Sequence, residues 1–314
     1  MPDTLLKLMN EMLDEQEEDK DLKQNSINRK RDTANIIREH IKCCTKPIKN
    51  ITEDDLNEDL KKLPKMKKFI QSKNKEEYRF SASYLKQIYL LIKQTYHYSV
   101  IKRKLPKELD LFEVEGRVKK PKSNKATKEV KPFTRAECIN FLKQLPKEKQ
   151  DQNIDIIRVQ ILMGSRIGET LSLINENIDK EEKKINIETS LTKDKDDKTV
   201  RGDTTKTPSG KRSYPLTHTL LEILEPYLTP NKPKALIFSN NGKPINESNI
   251  CRVVKRICTH AGIRVIETKK KKANGRISNL KTSDITTHSL RHLFAKIAVI
   301  VKAEPTVLRD LLRT

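Results

Sequence analysis

The sequence predicts a protein of two domains: an all-helical first domain, and a mixed, mainly helical second domain with a small antiparallel sheet. Three observations support this multidomain α and α+β fold class. Apolar residues recur at helical spacing to about residue 110, and a basic, proline-containing segment follows at 117–132. Beyond that segment, short alternating stretches typical of strands lie between helical ones. The length of 314 residues suits about two domains, which we place at 1–116 and 133–314, with 117–132 as the linker.

The first domain is expected to consist of helices. The clearest begins at Ser81, after which apolar residues recur at helical spacing. Another begins at Thr52 or Asp54, either of which suits an N-cap. Its apolar stripe continues to Ile70, although Pro64 is expected to kink or break it. Two further helices are expected over about residues 5–13 and 26–42.

The second domain is expected to begin with a helix. Thr134 and Glu137 form the capping box that starts it, and a second, buried helix should end at Gly164. Two strands are expected where residues alternate, in Lys184–Thr189 and Arg212–Leu216. We further expect a flexible insertion at 193–201, a basic loop at 268–283, and helices from about Asn246, Thr287 and Pro305.

The charge of the chain favours a polyanionic partner. Lys and Arg number 65 against 43 Asp and Glu, a formal net charge of +22. A charge of this size attracts nucleic acid over long range. The alternative is a lysine-rich background inherited from an AT-rich genome. Aromatic residues make up only 4% and tryptophan is absent, which argues against a stacking platform for single strands.

Cysteine usage and hydropathy indicate a cytoplasmic protein. The five cysteines contain no CxxC pair, and their odd number does not resemble a secreted disulfide framework. Reduced thiols are expected, and a metal site is not. The N-terminus carries no signal pattern, and no apolar run approaches membrane-spanning length, so a membrane partner is not expected.

Four residues of the second domain suit the binding of one phosphate. Arg166 lies in Gly-Ser-Arg-Ile-Gly-Glu, Lys206 in Thr-Lys-Thr-Pro-Ser-Gly-Lys-Arg, and His288 and Arg291 in His-Ser-Leu-Arg. Guanidinium groups grip phosphate through paired N–H donors and stay charged at physiological pH. A lysine can give a proton to a leaving oxygen, and a histidine can donate a hydrogen bond or shuttle protons.

Each of these motifs also has an ordinary structural interpretation. Arg166 suits an arginine that binds carbonyl groups, His288 a helix N-terminal residue, and Lys206 a solvated lysine. The order of the motifs favours the phosphate site. Arg166 follows a buried helix, Lys206 stands in an expected hairpin, and the His288 motif starts a helix.

With these motifs in this order, the chain resembles the tyrosine recombinases, or phage-type integrases, and among them the integrases of conjugative transposons. The resemblance covers Phe133 to the end and, more weakly, the helical domain. It implies that Arg166 and Arg291 hold the scissile phosphate, that His288 assists, and that Lys206 protonates the leaving 5′-hydroxyl. Glu169 is implied to orient the site.

The resemblance also implies the partners. A helical core-binding domain and a catalytic domain would clamp duplex DNA at recombination sites, with a homo-oligomer forming on the DNA. Neither a cofactor, a metal ion nor a small-molecule substrate is expected. We expect DNA contacts from Lys119, Lys120, Lys122 and Arg212, and a supporting, structural role for His292.

One part of the family pattern is missing. In the family, a histidine and then the nucleophilic tyrosine follow the HxxR helix, whereas here Thr314 stands where that histidine is expected and Tyr227 is the last tyrosine. We therefore expect a recombinase lacking its C-terminal catalytic tail, inactive as it stands, and also lacking the family's N-terminal arm-binding module. The alternatives are a non-catalytic, DNA-binding integrase and a type IB topoisomerase, which shares this active site.

Overall fold

The computed structural model describes residues 2–18, 24–70, 75–125, 131–196, 198–202, 211–271, 277–304, 306 and 311–312. It divides the chain into two compact units, Met1–Glu129 and Val130–Thr314. Both units are built mainly of helices, and the sheets are small and antiparallel. The predicted fold class is confirmed.

Helices form most of the first unit, together with one hairpin. Its elements are α1 (Leu5–Glu18), α2 (Gln24–His40), α3 (Glu53–Lys62), β1 (Lys67–Ile70), β2 (Lys75–Tyr78) and α4 (Ala82–Ile101). The helix starts follow local capping chemistry: Thr52 caps α3 in a capping box with Asp55, and the Ser81 side chain accepts from the Tyr84 amide at the start of α4. The apolar faces of these helices enclose one core.

The hairpin of β1 and β2 is a departure from the all-helical first domain that we expected. The chain leaves α3 through a 3₁₀ turn at Leu63–Lys65, because Pro64 supplies no N–H to continue the helix. The apolar stripe expected to run on to Ile70 ends there. Phe69 lies on β1 with 58% of its surface exposed.

The start of the expected linker packs on the first unit. The Val118 side chain is buried in the core, and the Val118 carbonyl accepts a hydrogen bond from the Tyr89 hydroxyl, with 3.3 Å between the oxygens. The Asn57 side chain bonds the backbone on either side, at the Arg117 carbonyl and the Lys119 amide. This part of the segment is therefore folded against the helices rather than a solvated hinge.

The second unit combines a three-stranded sheet with helices and has three further hairpins among the described residues. Its elements are α5 (Arg135–Gln144), α6 (Gln152–Met163), α7 (Ile167–Leu171), β3 (Ile178–Asp179), β4 (Lys184–Ile187), β5 (Leu191–Lys193), β6 (Thr199–Arg201), β7 (Arg212–Pro215), α8 (His218–Leu224), β8 (Ser239–Asn240), β9 (Lys243–Pro244), α9 (Glu247–His260), β10 (Val265–Lys271), β11 (Ile277–Ser283) and α10 (Thr287–Ile300). The sheet has the order β3-β4-β7, with Ile185 opposite Tyr214 and Ile187 opposite Arg212.

Two segments expected to lack regular structure form hairpins instead. In the first, β5 leads into the segment 193–201 and pairs with β6, with Leu191 opposite Arg201 and Lys193 opposite Thr199. In the basic segment, β10 and β11 pair along seven positions, where Glu267 lies opposite Lys281. Strand-forming β-branched residues and this opposite-charge pair outweigh the lysine run. The helix expected from Pro305 falls largely on residues outside the described ranges.

Candidate active site

The loop that carries Arg166 is shaped by a glycine. Gly164 ends α6 with φ of 61°, a left-handed conformation that side chains rarely adopt. A Cβ atom at this position would lie 2.3 Å from a ring carbon of Phe294 on α10. The glycine therefore lets α10 approach the loop, and Arg166 follows two residues later as the N-cap of α7.

Glu169 holds Arg166 from one turn further along the chain. One carboxylate oxygen of Glu169 accepts the Arg166 backbone N–H at 2.8 Å, and the other accepts from the Arg166 Nη1 at 2.9 Å. The Arg166 side chain remains 39% exposed. Arg166 is thus fixed at its backbone and guanidinium while its side chain remains partly exposed.

A second arginine, Arg212 on β7, pairs with the same carboxylate. Arg212 Nη2 lies 2.6 Å from Glu169 Oε2, and its Nη1 lies 3.3 Å from Oε1. Both side chains are almost fully buried. Burial acts to raise the pKa of Glu169, but the hydrogen bonds and charge of Arg212, together with the hydrogen bonds of Arg166, hold that pKa below its usual value. Glu169 therefore stays ionised between two cations.

Arg212, which is expected to contact DNA, is buried in the second unit, and its contact with DNA stays a prediction. Its guanidinium is directed inward, where Nε donates to the Tyr214 hydroxyl at 2.8 Å and the terminal nitrogens bind Glu169. Arg212 braces the carboxylate that positions Arg166.

Arg291 meets the same loop from α10. Its side chain is buried, its Nη1 donates to the Gly164 carbonyl at 2.7 Å, and its Nη2 donates to the Leu312 carbonyl. Burial lowers the pKa of Arg291, and the positive charges of Arg166 and Arg212 add to that effect. Two of the cations expected at the site are therefore brought together around residues 164–166.

His288 lies one turn before Arg291 on α10 and is exposed. Its ring meets that of His292 edge-on, with 4.9 Å between the ring centres. Burial of part of the ring lowers the pKa of His288, and His292, Arg291 and Arg166 lower it further. The imidazole is therefore neutral at physiological pH, when it can donate one N–H and accept at the other nitrogen.

A protein-family model matches the second unit of the chain. Residues 131–312 match the model described as the phage integrase family. The chain belongs to this family. No curated protein sequence matches the chain.

Solved structures show the same fold for this integrase-family chain. The Tn1549 transposon integrase, in complex with transposon right end DNA, superposes with a TM-score of 0.69 at 16% identity, covering 98% of this chain and 90% of that one. A lambda integrase (75–356) dimer bound to a COC′ core site gives 0.58 at 13% identity, covering 98% and 94%. The chain therefore has the tyrosine recombinase fold.

The remaining predicted residues of this integrase-family chain are Lys206, Lys119, Lys120, Lys122 and His292. Lys206 lies outside the described residues, between the end of β6 and the start of β7. Lys119, Lys120 and Lys122 are exposed in the first unit. His292 is exposed and contacts His288, so it borders the site instead of packing in the core.

The place of Tyr214 beside the site was not predicted, although the residue pattern of β7 contains it. Arg212 and Tyr214 lie two apart on a strand, and such residues point to the same face. Both are buried. The alternation that predicted β7 therefore also implied that Arg212 points inward beside Tyr214.

The described residues add two negative observations. Within them, no group of three His, Cys, Asp or Glu side chains is arranged to hold a metal ion. None of the described helices is long and apolar enough to cross a membrane.

Proposed function

We propose that this chain binds duplex DNA and holds one DNA phosphate between Arg166 and Arg291, as in a recombinase that cuts and rejoins DNA. The observation that carries this proposal is the pairing of Arg166 with Glu169 beside an Arg291 that bonds the Gly164 carbonyl of the same loop. Two permanent cations with fixed orientation can grip two phosphate oxygens. The net charge of +22 supplies the long-range attraction.

For a chain that carries the nucleophilic tyrosine, the proposed chemistry is phosphoryl transfer through a 3′-phosphotyrosine without a metal ion. Arg166 and Arg291 neutralise the charge that grows on the phosphate in the transition state. Neutral His288 donates a hydrogen bond to a phosphate oxygen or shuttles a proton. Lys206 protonates the leaving 5′-hydroxyl. We further propose exposed Lys119, Lys120 and Lys122 as contacts to the DNA backbone.

We propose that the 314-residue polypeptide binds DNA without forming the covalent intermediate. The two tyrosines of the second unit, Tyr214 and Tyr227, both have engaged hydroxyls. Tyr214 bonds Arg212 and the Leu311 carbonyl, and Tyr227 donates to Asp155 at 2.7 Å. Burial raises the pKa of both phenols. Neither therefore offers a free phenolate to attack phosphorus.

Binding is tested by salt dependence. We expect the affinity for a fluorescent duplex to fall steeply between about 50 and 200 mM salt, because each neutralised phosphate contributes a slope of about −0.9 in log K against log salt. Replacing Arg166 and Arg291 by alanine should make this slope shallower. Arg158→Ala is the matched control, since Arg158 pairs with Asp155 on α6. A slope near zero for the unaltered chain would contradict DNA binding.

Formation of a covalent protein–DNA adduct is tested by incubating the chain with a pool of nicked suicide duplexes, followed by denaturing electrophoresis. The 314-residue chain should show no protease-sensitive, slowly migrating DNA band. A version extended with a tail carrying the histidine and tyrosine should form the band, and Arg166→Ala or Arg291→Ala in that version should remove it. An adduct formed by the unextended chain would overturn the assignment of the nucleophile.

The lambda integrase structure is a dimer on its core site. By analogy we propose that this chain also forms a homo-oligomer on DNA. Sedimentation of the chain with and without duplex tests this, and a strictly monomeric complex at saturating DNA would contradict it.

A further inference from the structure

Two backbone carbonyls near the end of the chain contact the candidate site. The Leu311 carbonyl accepts from the Tyr214 hydroxyl at 2.8 Å, and the Leu312 carbonyl accepts from Arg291 Nη2. The Leu311 side chain packs on the core of the second unit. The segment Leu311–Leu312, here called the docking segment, is therefore bound at two points.

The first contact continues inward through hydrogen bonds as far as Arg166. The Tyr214 hydroxyl that donates to Leu311 also accepts from Arg212 Nε, with 2.8 Å between the atoms. Arg212 then binds both oxygens of Glu169, and Glu169 binds the backbone and side chain of Arg166. The docking segment is thus connected to the first arginine through three intervening side chains.

The second contact is shorter and ends at the same loop. Arg291 bonds the Leu312 carbonyl with one terminal nitrogen and the Gly164 carbonyl with the other. The docking segment is therefore connected to both arginines. It reaches Arg166 through Tyr214 and bonds Arg291 directly.

The direction of each hydrogen bond makes Tyr214 suited to this link. Its oxygen accepts from a charged guanidinium, which polarises its own O–H toward the Leu311 carbonyl. Burial raises the pKa of Tyr214, so the phenol keeps the proton that it donates. If the segment leaves, a buried hydroxyl loses its acceptor, and such a loss is unfavourable.

We propose that Tyr214 is a positioning residue that couples docking of the Leu311–Leu312 segment to the orientation of Arg166, through Arg212 and Glu169. The proposal deepens the proposed function, on which its relevance to phosphate binding rests. Coupling between two sites is reciprocal. An anion held by Arg166 and Arg291 should therefore strengthen docking, and docking should strengthen anion binding.

The test uses the Arg166 amide as a reporter. That N–H is bonded to Glu169 at the far end of the connection, and its hydrogen exchange requires neither DNA nor activity. In Tyr214→Phe, we expect its exchange to quicken by about three- to ten-fold, because one charge-assisted bond of the connection is lost. Carboxypeptidase should also remove the docking segment faster by a similar factor.

Tyr227→Phe is the matched control. It removes a hydroxyl bonded to Asp155 in the same unit, outside the connection. In Tyr227→Phe, the hydrogen-exchange rate of the Arg166 amide and the rate at which carboxypeptidase removes the docking segment should equal those of the unaltered chain. Equal exchange at Arg166 in Tyr214→Phe and Tyr227→Phe would overturn the proposal, because Tyr214 would then be an ordinary core residue.

A second measurement uses the unaltered protein. Carboxypeptidase trimming past Leu311 removes the acceptor carbonyl, and exchange at the Arg166 amide should quicken as that product accumulates. Unchanged exchange in the trimmed protein would also overturn the proposal, even if Tyr214→Phe fails to fold.

Tungstate, a tetrahedral oxyanion, tests reciprocity and separates the two proposals. It should slow trimming of the unaltered chain, and its affinity should fall by about three- to ten-fold in Tyr214→Phe. Tungstate that binds but leaves trimming unchanged would contradict the coupling. Failure of both tungstate and duplex DNA to bind would refute the proposed function, while the exchange measurements still decide the link between Tyr214 and Arg166.

Discussion

Two glutamates of the second unit are buried to nearly the same extent but lie in different surroundings. The side chains of Glu169 and Glu148 are 3% and 5% exposed. The principal partner of Glu169 is Arg212, which is itself only 4% exposed. The partners of Glu148, Arg256 and His260, are 46% and 51% exposed.

This difference determines what each carboxylate does. Glu148 ties the turn after α5 to α9, and water screens the charges that it binds. Glu169 joins α7 to β7 inside the unit, where neither partner can be solvated alone. A buried pair of this kind is costly to form and costly to break. It suits a place where the orientation of Arg166 must be maintained.

The strongest test of this comparison replaces each glutamate by alanine. Glu169→Ala should lower the free energy of unfolding by about 3–5 kcal/mol, because the buried Arg212 guanidinium loses the carboxylate that it binds through both terminal nitrogens. Glu148→Ala should cost about 1 kcal/mol or less, since Arg256 and His260 can turn to solvent. Urea unfolding measures both. Equal losses would show that burial of the partner is not what distinguishes the two sites.

A milder test keeps the positive charge at each position but replaces the guanidinium group by an ammonium group. Arg212→Lys retains a cation but loses the paired geometry on Glu169 and the bond to Tyr214, so we expect a loss of about 1–3 kcal/mol in unfolding free energy. Arg256→Lys should change it by less than about 0.5 kcal/mol. Thermal melting of the two variants side by side provides the check. A larger effect at Arg256 would reverse the comparison.

The smallest effect is expected in the pH dependence of stability. The folded-state pKa of Glu169 and of Glu148 lies below the usual value of 4.5, so each ionised carboxylate stabilises the fold above that pH. This contribution is lost as pH falls through the folded pKa. Unfolding free energies measured from about pH 6 to pH 3 should fall less steeply in Glu169→Gln than in the unaltered chain. An identical slope would show that Glu169 does not contribute.

Local chemistry explains which parts of the fold were predictable. Thr52, Ser81 and Thr134 are N-caps because each side-chain oxygen accepts an amide within the next three residues. Gly164 ends α6 because the left-handed turn favours glycine. The β1–β2 and β10–β11 hairpins were not predicted, because pairing between strands outweighed the helical or loop-like local pattern.

The sequence by itself determined the order of the site's residues and the elements that carry them. Arg166 begins a helix after a glycine, and His288 and Arg291 lie in the first turns of α10. These features depend on residues only a few positions apart, where periodicity and capping act.

Only the tertiary structure decided which of the cations come together and which partners each one binds. Arg212 and Glu169 are 43 positions apart, and their pairing requires β7 to lie beside β4 with its inward face against α7. The same packing brings Tyr214 to the Leu311 carbonyl, 97 positions away. A charged side chain has the same identity in a sequence whether it is solvated or enclosed. Its role follows from the dielectric and the partners around it, and these exist only after the chain has folded.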